Sequence, residues 1–172
     1  MRRSLAAAQT PFAALFGCSD SRLSAEMIFD VGLGDLFVVR NAGQIIAQTI
    51  IGSLEFAVEF LNVPLIVVLG HDSCGATGAA INSNAGQLSS DSEYVNHLVE
   101  RLLPTVTNSL EQGITEHDEI TKEHVKDTIE ELVSRSKLIA ERIKSGSLAV
   151  VGAHYQLAEG KVEIISTSGN IQ

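Results

Sequence analysis

The chain has 172 residues, 45% hydrophobic and 19% charged, a size and balance typical of one globular domain and not of a disordered chain. Its net charge of −9 at pH 7 argues against a nucleic-acid partner, which would need a basic surface. No apolar run approaches the roughly 20 residues of a membrane span, and two cysteines are too few for a disulfide scaffold. We therefore expect a cytoplasmic protein, with neither membrane nor nucleic acid as a partner, whose cysteines serve a metal or catalytic role.

Apolar runs in the first half of the chain predict three buried parallel strands. They cover residues 12–17, 36–39 and 63–69. A short helix over 25–29 is expected to begin after Ser24 as its N-cap, and residues 49–61 have the period of an amphipathic helix. Each strand is followed by a polar or glycine-rich loop, so the pattern is strand, loop, helix.

The second half of the chain continues this pattern with more helix. We predict helices over 74–82, over 94–110 with Pro104 bending or dividing it, and over 116–144 as one long helix ending at Gly146. A strand over 147–156 then turns into a hairpin strand at 162–165. Alternating strands and helices with right-handed crossovers predict an α/β fold, with a mostly parallel central sheet flanked by helices and a C-terminal hairpin strand.

Three metal-ligating side chains follow core strands in this scheme. Cys18 comes at the end of the first strand, and His71 and Cys74 leave the third strand three residues apart. The carboxyl ends of parallel strands share one edge of the sheet, so these residues can meet there. Two sulfurs and one nitrogen make a tetrahedral zinc site with one position left, and Asp20 lies within reach of that position. Such a set indicates a catalytic site, or one that switches between open and closed.

Arg22 follows Asp20 by two residues and gives the carboxylate a partner. A two-pronged hydrogen bond from the guanidinium would draw Asp20 off the metal. Asp20 could then accept a hydrogen bond from the attacking water and orient it. A plain surface ion pair is the alternative interpretation of these two residues.

These motifs resemble those of the β-class carbonic anhydrases. The similar segments are 18–22 (CSDSR), 34–43 (GDLFVVRNAG), 53–58 (SLEFAV) and 70–76 (GHDSCGA). The resemblance extends over nearly the whole chain, and two spaced motifs in the correct order make it specific. It implies an enzyme that reversibly hydrates carbon dioxide to bicarbonate and a proton with one Zn²⁺ ion per chain.

The resemblance also implies roles for individual residues. Cys18, His71 and Cys74 would bind zinc, with Asp20 as a fourth ligand in members that close at low pH, and Asp20 with Arg22 would form the catalytic pair. The residues expected around the substrate are Gln9, Phe37 and Gly75. In the family the pocket is built at a dimer interface, so a homodimer or homotetramer is implied. Residues 1–172 would form one such domain without the amino-terminal helices that members usually carry.

Two other functions remain open at the level of sequence. The same scaffold could hydrolyse carbon disulfide or carbonyl sulfide, or the zinc could stabilise an interaction or sensor protein that has no turnover. The remaining histidines are not expected to touch the metal. His117 and His124, seven residues apart on a predicted helix, could share a face and are expected to be solvated, whereas His154 is expected to pack within a strand.

Overall fold

The computed structural model describes residues 2–170 and contains a five-stranded sheet with the order β2-β1-β3-β4-β5. The strands are β1 (Ala13–Cys18), β2 (Leu36–Asn41), β3 (Leu65–His71), β4 (Ala149–Gln156) and β5 (Lys161–Ser168). β1 pairs in parallel with β2 and β3, and β3 pairs in parallel with β4. β5 returns antiparallel to β4, so the predicted α/β fold with its C-terminal hairpin strand is confirmed.

Helices connect the strands and cover the sheet. They are α1 (Arg2–Leu5), α2 (Ala25–Ile28), α3 (Gln48–Phe60), α4 (Gly75–Asn84), α5 (Glu93–Glu111), α6 (His117–Arg135) and α7 (Lys137–Lys144). The main core lies where α3, α6 and α7 pack on one sheet face around Phe16, Leu54 and Leu132. The other face packs against α2 around Leu15 and Leu69. Because both faces are covered, all six residues of β1 are buried.

Two strand glycines allow α6 to lie close to the sheet. A Cβ at Gly70 would be 2.6 Å from Val125 Cγ2, and a Cβ at Gly152 would be 2.8 Å from Ile129 Cδ1. Only glycine leaves room for the helix at these two positions. α6 therefore packs against the end of β3 that carries His71.

The predicted single helix over 116–144 is wrong, because the chain breaks at Ser136 into α6 and α7. Ser136 is extended (φ −105°, ψ 102°), and its Oγ accepts a hydrogen bond from the Ile139 N–H. The same hydroxyl donates to Glu55 Oε1 at 2.6 Å, which ties the break to α3. Apolar residues keep a helical period across the break, so the pattern conceals it.

Other element ends differ from the predictions by a few residues. Pro104 lies inside α5 without dividing it, since the carbonyl that loses its partner belongs to the exposed Glu100. Ser24 occupies the N-cap position of α2 but makes no side-chain cap bond. β3 extends through His71, which is therefore the last strand residue rather than part of a loop.

Within residues 2–170, no helix combines the length and apolar character that crossing a bilayer requires.

Candidate active site

Three potential metal ligands meet where β1 and β3 end. Cys18 is the last residue of β1, His71 is the last residue of β3, and Cys74 is the N-cap of α4. The two Sγ atoms and one imidazole nitrogen lie within 4.8 Å of one another, and all three residues are buried. Because β1 and β3 are parallel neighbours, their carboxyl ends bring together residues that are far apart in the sequence.

The hydrogen bonding of His71 leaves one ring nitrogen free for a metal. Nδ1 lies 2.8 Å from the backbone carbonyl of Asp72, and since a carbonyl only accepts, Nδ1 carries the proton. Nε2 is buried and has no hydrogen-bond partner among the described residues, which is costly for a polar atom. A lone pair beside two thiol sulfurs is a donor set that suits zinc, so the residues present fit this ion.

The two neighbouring thiols interact closely, and this interaction separates their pKa values. It lowers the pKa of Cys74 to about 6, helped by N–H groups at the start of α4, and raises the pKa of Cys18 to about 12. The Gly43 N–H, 3.4 Å from Cys18 Sγ, opposes the rise. Burial opposes protonation of His71, but the combined influence of Cys18, the Asp72 carbonyl and the Asp20 carboxylate raises its pKa. A thiol must lose its proton to bind a metal, and the lowered pKa of Cys74 favours that loss, whereas an ion would have to displace the proton of Cys18.

The Asp20 carboxylate lies beside this cluster and is held by Arg22. Arg22 Nε donates to Oδ1 at 2.9 Å and its Nη2 donates to Oδ2 at 2.7 Å, while Oδ2 is 3.9 Å from His71 Nε2. The Arg22 side-chain hydrogen bonds hold the pKa of Asp20 well below its ordinary value of 3.8. Arg22 Nη2 also donates to the Ser73 carbonyl at 3.2 Å, which links the two loops of the site.

Arg40 secures the loop that carries Cys18 and Asp20. Its Nε donates to the Cys18 carbonyl at 2.8 Å and its Nη2 donates to the Asp20 carbonyl at 2.7 Å. The sequence predicts a loop over 40–43 at the end of the second strand and assigns no role to Arg40. The loop in fact begins at Ala42, because Arg40 and Asn41 continue the pairing of β2 with β1. The register of the sheet explains why Arg40 reaches this loop, because Arg40 lies opposite Gly17 and Asn41 lies opposite Cys18.

Two histidines of α6 hydrogen-bond to the same loops, contrary to the expectation that both are solvated. His117 Nε2 lies 2.9 Å from the Cys74 carbonyl and is half-buried. His124 Nε2 lies 2.8 Å from the Gly43 carbonyl and is buried. The expectation is wrong because α6 packs against β3 beside the site, a contact that helical periodicity does not reveal. His154 packs within β4, as expected.

Of the three residues expected around the substrate, the structure places only Gly75 beside the candidate metal ligands. Gly75 is the first residue of α4, directly after Cys74. Gln9 is exposed before the amino end of β1, and Phe37 pairs with Ala14 near that same end. At about 3.3 Å per strand residue, Gln9 and Phe37 are at least about 10 Å from the edge of the sheet where Cys18 lies. A single chain therefore does not bring them to its own cluster.

Comparisons with known proteins point to one family. Residues 13–162 match the profile of the family described as "Carbonic anhydrase". The chain is 52% identical to "Carbonic anhydrase 2" of Mycobacterium tuberculosis, over 99% of the chain and 82% of that protein. It is 47% identical to "Carbonic anhydrase" of Mycolicibacterium smegmatis over the same shares. A structure from a study of two tetrameric β-carbonic anhydrases of Sordaria macrospora superposes with a TM-score of 0.87, at 25% identity, over 98% of this chain and 88% of that one.

Proposed function

Because this chain belongs to the β-class carbonic anhydrase family, we propose that Cys18, His71 and Cys74 bind the one Zn²⁺ ion that its activity requires. The chain is an enzyme, and its reaction is the reversible hydration of carbon dioxide to bicarbonate and a proton. The observation that supports the ligand set is the buried Nε2 of His71, which lies beside two thiol sulfurs and finds no hydrogen-bond partner within residues 2–170.

Zinc held by these residues would act as a Lewis acid that lowers the pKa of water and so supplies a nucleophile at neutral pH. The chain keeps its ligands in place through backbone contacts. The Asp72 carbonyl holds the imidazole of His71 so that Nε2 stays deprotonated, and Arg40 holds the carbonyl of Cys18. The ligands therefore need little rearrangement to bind the ion.

Asp20 orients the attacking water by accepting a hydrogen bond from it. Because Arg22 lowers the pKa of Asp20, the carboxylate stays ionised at neutral pH and does not readily accept the proton that the reaction releases. The proton released by the reaction therefore leaves to solvent or buffer. Asp20 acts as a fixed acceptor, positioned by two hydrogen bonds from one guanidinium.

Arg22 also keeps Asp20 from serving as a fourth zinc ligand. Both carboxylate oxygens are engaged by the guanidinium, and the backbone N–H of Arg22 adds a further bond to Oδ1 at 2.9 Å. Asp20 would reach the ion only when these contacts break. We therefore propose that the Asp20–Arg22 pairing corresponds to the open, catalytic form of the site.

Stopped-flow hydration of carbon dioxide tests the proposal, with the zinc content measured on the same samples at pH 7 and pH 8.5. We expect the wild-type protein to hold one zinc per chain and to turn over. Asp20→Ala and Arg22→Leu should keep zinc but lose about 100-fold in kcat/KM, because the acceptor is absent or misplaced. Arg101→Leu is a matched control, since Arg101 pairs with Glu131 on α5 and α6, away from Asp20. Full activity in Asp20→Ala would contradict the catalytic role of the pair.

The alternative functions are less well supported. A structural zinc site would use Asp20 as a closing ligand and would have no need for the guanidinium that holds it. For a carbon disulfide or carbonyl sulfide hydrolase, the matched relatives offer no support, since they bear the name carbonic anhydrase. Turnover of carbonyl sulfide in place of carbon dioxide would favour that alternative.

We also propose a homo-oligomer in which the pocket of one chain receives Gln9 and Phe37 from another. The support is their distance from the Cys18 of their own chain, and an exposed aromatic patch of Phe56 and Phe60 beside Phe37. β2, which carries Phe37, is an edge strand of the described sheet, and the Sordaria relatives are tetrameric.

Both cysteines are free thiols, which fits the cytoplasm.

Mixing two inactive variants tests this arrangement. Gln9→Ala damages the pocket of a neighbour, and Cys74→Ser abolishes zinc binding in its own chain. A mixed oligomer then contains one intact site per pair, so activity should return after the two proteins are unfolded and refolded together. No recovery, with sedimentation showing mixed oligomers, would contradict a shared pocket.

A further inference from the structure

We propose that His124 is a positioning residue for the zinc site, which fixes the Gly43 backbone so that its N–H donates to Cys18 Sγ. This inference rests on the proposed zinc site and extends it to a residue of α6 outside the ligand set. His124 would thereby control how strongly the Cys18 sulfur donates to the metal.

Two hydrogen bonds connect the imidazole to the sulfur through one glycine. His124 Nε2 lies 2.8 Å from the Gly43 carbonyl, and the Gly43 N–H donates to Cys18 Sγ with a nitrogen–sulfur distance of 3.4 Å. Both bonds are buried. The carbonyl and the N–H belong to adjacent peptide units, so an anchor on the first restricts the direction of the second.

Gly43 needs such an anchor because its backbone is otherwise permissive. It has φ +76° and ψ 12° within a 3₁₀ turn over Ala42–Gln44, a conformation that glycine enters and leaves at little cost. A Cβ at this position would lie 2.9 Å from Ala76 Cβ, so no bulkier residue could stiffen the turn. The Asn41 side chain closes the ends of this turn through two hydrogen bonds with the Ile45 backbone, and His124 adds a restraint on the Gly43 carbonyl itself.

His124 is suited to this task by its own surroundings. It is 7% exposed, and burial lowers its pKa, so the ring stays neutral at physiological pH. Since the Gly43 carbonyl only accepts, Nε2 must carry the hydrogen. The ring is therefore a neutral donor in one tautomer, mounted on a helix that packs against the sheet.

The N–H···S bond has a direct effect on the ligand. A donor stabilises the negative charge of a thiolate, which lowers the energy of its lone pair and helps to keep the sulfur deprotonated. Partners that orient and polarise a ligand in this way typically contribute 10–100-fold in metal affinity. Loss of the His124 anchor should therefore weaken zinc binding and raise the lone-pair energy of the sulfur.

The test uses full-length protein loaded with Zn²⁺ for affinity and with Co²⁺ for spectroscopy. His124→Leu removes the donor and keeps an apolar side chain of similar size. We expect zinc affinity, measured by competition with a chelating dye, to fall about tenfold. The thiolate-to-cobalt charge-transfer band should move to longer wavelength, because the lone pair of Cys18 lies higher in energy.

Two further variants separate positioning from general stability. His124→Gln places an amide N–H close to the position of Nε2 and should restore both the affinity and the band. Thr128→Val removes a buried hydroxyl one turn along α6, which donates to the backbone carbonyl of His124 rather than to the Gly43 backbone. It should lower stability and leave the band in place. A His124→Leu protein with an unchanged band and affinity would overturn the inference, as would an equal shift in Thr128→Val.

A measurement on the wild-type protein remains decisive if His124→Leu does not fold. With ¹¹³Cd in the site, a scalar coupling between cadmium and the Gly43 amide proton should be observed through the sulfur. Its absence would overturn the inference. Failure of wild-type protein to bind zinc or cadmium at all would instead contradict the proposed function, so the two failures are distinguishable.

Discussion

Replacing Gly70 with alanine should destabilise the protein where α6 meets β3. The added Cβ would lie 2.6 Å from Val125 Cγ2, 3.4 Å from Gln44 Nε2 and 3.6 Å from Thr121 Cγ2. Favourable contact between carbon atoms needs about 3.5–4.0 Å, so the helix and the strand must separate by roughly 1 Å. Overpacking of this kind costs about 1–3 kcal/mol, and we expect a loss of about 2 kcal/mol in the free energy of unfolding.

Trimming Val125 to alanine should relieve this strain. Val125→Ala alone removes two buried methyl groups at about 0.8 kcal/mol each and leaves a cavity, for a cost of about 2 kcal/mol. In the double variant the new methyl group of residue 70 fills part of that cavity. The double variant should therefore be more stable than the sum of the single effects predicts, by about 1 kcal/mol or more.

Urea unfolding of zinc-saturated protein, followed by circular dichroism, measures all three variants. Gly52→Ala is the matched control, because a Cβ at this position in α3 would meet no atom of the described residues within 4 Å. It should be neutral or stabilising by up to about 1 kcal/mol. Strictly additive effects of Gly70→Ala and Val125→Ala, or a Gly70→Ala protein as stable as the wild type, would refute the packing argument.

Further predictions concern the capping serine, a buried histidine and the metal. Ser136→Ala should cost about 1–2 kcal/mol in urea unfolding, because the Ile139 N–H loses its cap acceptor, whereas Ser134→Ala, at an exposed hydroxyl of α6, should cost little. Burial lowers the pKa of His154 in the folded protein. As the pH falls below about 6.5, this histidine is therefore protonated more readily in the unfolded chain than in the folded one, and its contribution to the stability of the wild type is lost. His154→Leu removes this titration, so the stability of the variant relative to the wild type should increase as the pH is lowered from 7.5 to 5.5. A stability difference that does not change with pH would contradict this. Removing zinc with a chelator should lower the thermal midpoint by calorimetry, since a ligand at 1,000 times its Kd contributes about 4 kcal/mol.

The main elements and the ligand chemistry were predictable because both depend on local sequence. Continuous apolar runs mark strands that are covered on both faces, and β1 and β3 lie within about two residues of their predicted ranges. His71 and Cys74 follow a strand that must be parallel to the strand of Cys18 if helices connect them. The shared edge of the sheet then brings these residues together, as the structure shows.

The helical region was less predictable because its breaks and faces depend on distant partners. Ser136 ends α6 while its hydroxyl binds Glu55 of α3, and no local pattern announces that contact. The sequence predicts solvated positions for His117 and His124, because the helical period does not reveal that α6 packs against β3. Their partners, the carbonyls of Cys74 and Gly43, are backbone atoms that no side-chain pattern can identify.

Residue types and their spacing were enough to predict the fold class, the mostly parallel sheet and the three candidate metal ligands, because they specify which side chains leave which strand. The tertiary structure alone decided what supports that chemistry. It placed α6 against the loops of the site through the space left by Gly70, and it set Gln9 and Phe37 towards the opposite end of the strands from Cys18. These outcomes depend on the packing of whole elements, and packing is a property of the surfaces that meet rather than of either segment alone.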